Sequence, residues 1–208
     1  MATAKTEPDA GRKPRSQLKR KEILNGARRV FMSGGYGASS MDAVADAAGV
    51  SKMTVYRHFK SKEALFAGVI EELCEGMLAG DLISDMAHRP PAEALAQFAA
   101  RFVGTVYDPE TLALHRVVIA EAERFPELGR LFYESGPARN IQTLADYLAR
   151  HGVEWKLEHE NSVEAAESFM EQLRGYTHLR IMLGVAPALG DMEREALIAR
   201  VVKRFLKK

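Results

Sequence analysis

The chain has 208 residues, 47 % of them hydrophobic, which is enough apolar material to bury a core and excludes a chain that stays disordered throughout. No run reaches the roughly 20 apolar residues that a bilayer span requires, and MATAKTEPDAGRKPR at the start lacks the apolar stretch of a secretory signal, so the cytoplasm is the expected location. The net charge of +1 conceals an asymmetry: residues 1–65 hold 13 Lys and Arg against 6 Asp and Glu, whereas the remainder holds 16 against 22.

A basic end facing an acidic remainder suits a surface for a polyanion at one end and a different task at the other. The single cysteine, Cys74, excludes an internal disulfide and a thiolate metal cluster, and is read as a small buried hydrophobe. The six histidines show neither HExxH nor His/Cys spacing, so no metal and no other cofactor is expected. Nucleophile elbow, phosphate-cradling glycine loop and motif-based acid/base pair are all missing, and catalysis is not expected.

Residues 1–15 are polar, contain Pro and Gly, and show no apolar periodicity, which predicts a flexible arm with a basic cluster at Arg12, Lys13 and Arg15. From Ser16, Leu18, Ile23, Leu24, Ala27, Val30 and Phe31 recur at helical spacing until Gly34-Gly35 supplies a stop. Ser39 with Asp42 resembles a capping box opening a second helix over Met41 to Ala48, ended by Gly49. Ser51 caps a third, short helix to His58, and Ser61 caps a fourth that continues from Lys62 through Leu82. The pair Pro90-Pro91 breaks the chain into a loop. Further helices are predicted at Ala92 to Val106, Glu110 to Arg124, Glu127 to His151 with a kink or break at Gly136-Pro137, Ser162 to Leu183, and Asp191 to Leu206. No stretch alternates with period two, so the fold class is all-α.

Three positions in the second and third helices point to a helix-turn-helix. Ala45 is small where two steeply crossed helices approach, Gly49 suits a turn that needs positive φ, and Val55 is placed to bury against the second helix beside Val44 and Val50. The stretch GGYGASSMDAVADAAGVSKMTVYRHFKSKEALF, Gly34 to Phe66, resembles the DNA-binding domain of the TetR family of regulators. The departure is Met53, where family members often carry a small residue. The resemblance implies three parts: the arm 1–15, a three-helix DNA-binding domain at 16–65, and a helical ligand-sensing and dimerisation domain at 66–208.

In a helix-turn-helix the start of the second helix of the motif meets base edges while other groups clamp phosphates. Lys52, Met53 and Thr54 are the base-contact candidates, Lys52 having a phosphate contact as its alternative. By the resemblance, Ser39, Ser51, Tyr56, His58 and Lys62 occupy positions that contact the DNA backbone; for the two serines, capping alone is the other reading. The arm either enters an adjacent minor groove or is a solubilising tail.

Such a regulator binds a palindromic double-stranded operator as a homodimer. The resemblance places the dimer seam on the last two long helices, where Phe169, Leu173, Tyr176, Leu179, Leu197, Val201 and Phe205 fall at helical spacing, some of them in the subunit's own core. The segment Arg116 to Leu148 resembles the AefR-like C-terminal domain and implies a small-molecule effector bound between helices. Candidate lining residues, chosen as aromatic, histidine or apolar side chains, are Phe98, Phe102, His115, Ile119, Phe132, Tyr133, Phe169 and Tyr176. The acidic run Glu121, Glu123, Glu127 reads either as a solvated face or as a selector for a cation. The expected mechanism is repression relieved by the effector, with the fourth helix as the link between its pocket and the operator.

Overall fold

The computed structural model describes residues 15–75, 80–151 and 161–207, and among these the chain is helical, with no strand. α1 (Arg15–Ala38), α2 (Met41–Ala48) and α3 (Lys52–His58) build the N-terminal unit, and α4 (Lys62–Glu75) leads out of it. Then come α5 (Gly80–Ala87), α6 (Pro91–Val106), α7 (Pro109–Glu121), α8 (Pro126–Ser135), α9 (Pro137–His151), α10 (Ser162–Met182) and α11 (Asp191–Phe205). No helix among the described residues is long and apolar enough to cross a membrane. Arg12 and Lys13 of the arm, the Cys74 side chain and the predicted continuity of the fourth helix across 76–79 lie outside the described residues.

Local chemistry sets most boundaries. Pro91, Pro109 and Pro126 sit in the first turns of α6, α7 and α8, where an absent N–H loses no helical bond. The Asp108 carboxylate caps α7 by accepting from the amides of Glu110 and Thr111, both at 3.0 Å. Gly136 separates α8 from α9, where the sequence predicts a kink or break. One boundary is corrected: Ser40, not Ser39, caps α2, its hydroxyl oxygen accepting from the Ala43 amide at 3.1 Å. Ser39 is turned inward and its hydroxyl donates to the Gly35 carbonyl at 2.5 Å.

Two clusters make the core. The first joins Ile23, Leu24, Phe31, Tyr36, Val44, Val55 and Phe66 to Leu114 and Val118 of α7 and Leu128 of α8. The N-terminal core therefore extends beyond residue 65, and α7 belongs to it as much as to the C-terminal helices. The second cluster joins α5, α6, α9, α10 and α11 through Phe98, Phe102, Tyr147, Phe169, Leu173 and Phe205. Phe169 meets Phe205 edge-on with centroids 4.9 Å apart.

The sequence reading takes Ser162 to Leu183 as an uninterrupted helix, but α10 breaks at Gly175, whose φ of 50° and ψ of −161° suit glycine alone. The break withdraws amide donors from the preceding carbonyls, and Tyr107, the residue that caps the end of α6, replaces them. Its hydroxyl is shared between the carbonyls of Leu173 at 3.0 Å and Arg174 at 2.9 Å. Burial pushes the Tyr107 hydroxyl pKa up to about 12, so it remains a donor at any ordinary pH.

Candidate nucleic-acid interface and effector cavity

The geometry of α2 and α3 follows from packing. Gly49 ends α2 with φ 65° and ψ 35°, and the amide of Val50 returns to the Ala45 carbonyl at 3.0 Å. Val55 is fully buried and Ala45 nearly so, which fixes which face of α3 turns outward. A close backbone approach lies elsewhere, between α1 and the end of α2, at a position the sequence reading passed over. A Cβ on Gly26 of α1 would stand 2.8 Å from the Ala48 Cβ and 2.9 Å from its amide nitrogen. A lone glycine inside the apolar helical pattern of α1 is the signal that marks this crossing.

With its inner face locked, α3 presents Lys52, Met53 and Tyr56 to solvent, Met53 at 78 % exposure. Ser51 caps the helix by accepting from the Thr54 amide at 3.2 Å and pairs with the Thr54 hydroxyl at 2.8 Å. Lys52 reaches back to α2 and pairs with Asp42 at 2.8 Å. His58 is half-buried, and burial, then Arg57 and Arg20, lowers its pKa. Ser40, Arg57 and Lys60 are also exposed on the same unit and are not among the residues the sequence reading names, because it followed positions of the family motif.

Two of the named backbone-contact candidates point inward instead. Ser39 is 8 % exposed. Lys62 donates to the carbonyls of Tyr36 at 2.8 Å and Ser39 at 3.1 Å, with its ammonium 4.3 Å from the Tyr36 ring centroid. These contacts clamp the corner between α1 and α2. Tyr36 in turn donates to Glu63 at 3.2 Å, and burial followed by that carboxylate raises its pKa.

The same corner is held from the other side by α7. Glu121 accepts from the Gly37 amide at 3.1 Å, and a Cβ on Gly35 would lie 2.6 Å from its carboxylate. Glu121 is thus neither a solvated face nor a cation selector. It lodges in the glycine-rich corner that the sequence shows only as a helix stop. At the start of α7, Glu110 pairs with Arg28 of α1 at 2.6 Å. On the opposite side, Arg116 donates to the carbonyls of Ile181 and Met182 at the end of α10, both at 2.9 Å.

Between α7, α8, α9 and α10 lies a cavity of about 730 Å³. Val118, Ile119, Phe132, Ile141, Met170 and Met182 make it largely apolar, and His115, Tyr133, Arg174 and His178 bring polar atoms to its wall. His115, Ile119, Phe132 and Tyr133, four of the residues the sequence reading names, line it. The other four do not. Phe98 and Phe169 are fully buried in the second core, Phe102 borders a small adjoining recess, and Tyr176 is 80 % exposed. Aromatic identity alone does not tell which side of a helix faces a void.

Arg174 and His178, which the sequence reading did not name, also line the cavity. The Arg174 guanidinium lies 5.5 Å from the Phe102 ring centroid and reaches Glu171 at 3.3 Å, yet its Nε is buried without a hydrogen-bond partner. Nε2 of His178 is in the same condition. Burying a polar group unpaired costs about 1–3 kcal/mol. Burial, reinforced by His178 and Arg174, lowers the His115 pKa to about 4; burial and Arg174 lower that of His178 to about 4. Both imidazoles are neutral at neutral pH.

This fold, a helix-turn-helix followed by a helical domain with a cavity, defines a bacterial regulator class. Residues 23–69 match the description of bacterial regulatory proteins of the tetR family, and residues 93–208 match the C-terminal domain of AefR-like transcriptional repressors. The chain belongs to the TetR family and is a DNA-binding transcriptional regulator, not an enzyme.

A crystal structure of a TetR-family regulator from Mesorhizobium loti MAFF303099 is 29 % identical, with a TM-score of 0.78 over 94 % of this chain and 98 % of that one. The flavonoid-responsive regulator FrrA is 37 % identical, with a TM-score of 0.69 over 92 % of this chain and 96 % of its own. The transcriptional activator FasR of Mycolicibacterium smegmatis is 41 % identical over 69 residues, 33 % of this chain and 31 % of that protein. The chain thus matches about a third of FasR's length.

Proposed function

We propose that this regulator represses transcription from a palindromic operator, binds it as a homodimer in the cytoplasm, and is released by a small molecule held in the cavity between α7 and α10. The observation that carries the reading is the outward face of α3: its buried side is fixed by Val55, and Lys52, Met53 and Tyr56 are exposed on the other, with Lys52 and Met53 at the helix start, where a recognition helix meets base edges. Repression follows the AefR-like repressor domain; the activator FasR resembles this chain only over 69 residues. FrrA is named for a flavonoid response, and the rings around the cavity here support an aromatic effector.

A dimer is needed because one recognition helix covers too few base pairs. Its seam is supported by the apolar residues left exposed on α10, in the loop that follows and at the start of α11: Tyr176 at 80 %, Leu183 at 68 %, Val185 at 72 % and Met192 at 83 %. Phe169, Leu173, Leu197, Val201 and Phe205 are buried in the subunit's own core instead. Coupling is carried by α7 rather than by α4 alone. Its side chains hold the α1–α2 corner through Glu121, the end of α10 through Arg116, and the cavity wall through His115, Val118 and Ile119. A ligand that favours one position of α7 biases the spacing of the two recognition helices.

Selection of bound fragments from random-sequence DNA, at a stated salt concentration near physiological, tests the reading. Enrichment of a palindrome with half-sites about 34–36 Å apart, or a multiple of that, is expected. No enrichment by a folded dimer would overturn it.

A further inference from the structure

The cavity is more specific than its apolar walls suggest. Phe132, His115, His178 and Tyr107 form a run of edge-to-face rings, with centroids 4.9, 5.8 and 5.7 Å apart in that order. The ionic groups of the wall are Glu167, Glu171 and Arg174, two carboxylates against one guanidinium already in contact with Glu171. An anion entering here meets those carboxylates, and a cation loses its hydration against a mostly apolar surface and a guanidinium. Two nitrogens still lack partners, Nε of Arg174 and Nε2 of His178. A guanidinium Nε only donates, whereas a neutral imidazole offers one donor and one acceptor. A hydroxyl group, which both accepts and donates, complements that pair once the two side chains turn these nitrogens, which are shielded from the cavity, towards it. The adjoining recess, of about 40 Å³, shares His115, Phe132, Pro137 and Arg174 with the main cavity and adds a buried, unpartnered Asn140 Oδ1.

We infer that the effector is an uncharged aromatic compound bearing a hydroxyl group, which Arg174 and His178 hold while its rings lie along Phe132 and His115. The inference rests on the effector-cavity reading above. It adds a polarity rule, in which the hydroxyl is read by hydrogen bonding and both carboxylates and ammonium groups are rejected. A pocket built to hydrogen-bond a substituent discriminates strongly against the analogue that lacks it, because its own buried groups are then left unpaired.

The experiment measures binding of four probes to the full-length protein by calorimetry: β-naphthol, β-methylnaphthalene, β-naphthoate and a β-naphthyl trimethylammonium. β-Naphthol is expected to bind about tenfold tighter than each of the other three. His178→Phe, which keeps a ring between Tyr107 and His115, is expected to remove most of the advantage over β-methylnaphthalene; Arg174→Met should do the same. Melting curves establish that each variant folds, and His178→Phe alone decides the matter if Arg174→Met does not. Preference for the acid or the ammonium, an undiminished naphthol advantage in His178→Phe, or no naphthol binding up to its solubility would overturn the inference. Release of the selected operator is followed in parallel by anisotropy. Naphthol that binds but leaves operator affinity unchanged would sink the regulatory reading of the cavity and leave its polarity rule standing.

Discussion

At the α1–α2 corner, Lys62, Tyr36, Ser39, Gly37 and Glu121 are tied to one another or to nearby carbonyls. Around the cavity, Arg174 and His178 keep buried nitrogens without partners, and α10 is broken at Gly175. The corner orients a helix that must present the same face to DNA each time, so satisfied polar groups and glycine-enabled close contacts hold one geometry. The cavity retains unmet hydrogen-bonding capacity, and a ligand that meets it favours the liganded arrangement by its differential affinity. Rigidity at the DNA-binding unit and incompleteness around the cavity are what the proposed switch requires.

The largest expected effect tests the rigid end. Gly26→Leu places carbon atoms where Ala48 already stands, at 2.8 Å for the Cβ alone, and nothing at this helix crossing can yield without moving backbone. Overpacking of that kind costs about 3 kcal/mol, and urea unfolding should show a midpoint lowered at an unchanged slope. The matching change at the other end is Gly104→Ala on α6, where an added Cβ meets no atom within 4 Å. Higher helix propensity should make that variant more stable by up to about 1 kcal/mol. Equal effects at the two sites would erase the contrast.

The rigid end was also the more legible one. The span Met41–Ala48, the turn at Gly49, the Ser51 cap and burial of Val55 are decided within a few residues by caps, a positive φ and helical periodicity. Ser39 and Ser40 are equally good caps by residue type, and the choice between them depends on the Gly35 carbonyl, which becomes available because α1 breaks at Gly35, where φ is 75° and ψ 169°. At the sensing end the deciding partners are distant in sequence. Gly175 looks like one glycine in a helical pattern until Tyr107 arrives from the end of α6 to take the carbonyls that its break releases. Arg174 was invisible as a cavity residue because charged side chains are ordinarily read as solvated.

A second measurement sharpens the comparison at the sensing end. The pKa values of His115 and His178 fall from 6.5 to about 4 on folding. Between those limits the unfolded chain binds more protons than the folded one, so stability is fully present above about pH 6.5 and is lost as pH falls towards 4. For the more deeply placed His115 the loss is on the order of 2 kcal/mol, with a smaller one for His178, which solvent partly screens. His115→Phe should flatten the fall of Tm between pH 6.5 and 4 relative to the parent protein, while carboxylates elsewhere titrate equally in both. Parallel Tm profiles for the two proteins would show that the imidazole is not held neutral by the fold.

The smallest expected effect lies on the DNA face, where a single ion pair qualifies the picture of a surface standing ready. Lys52 is exposed but occupied, its ammonium 2.8 Å from Asp42. Any base or phosphate contact by Lys52 must compete with that carboxylate, and a carboxylate there repels a phosphate brought near it. Asp42→Asn removes both obstacles without changing the side-chain shape, and because Asp42 is exposed in the first turn of α2 the fold should be little affected. Non-specific DNA affinity at low salt is expected to rise about threefold, and the slope of log affinity against log salt should steepen by about one as Lys52 engages a phosphate. If Lys52 reads a base instead, the gain appears on the selected operator and the salt slope hardly moves. An affinity unchanged on both kinds of DNA would place Lys52 off the interface and leave Met53 and Tyr56 as the residues through which α3 meets the groove.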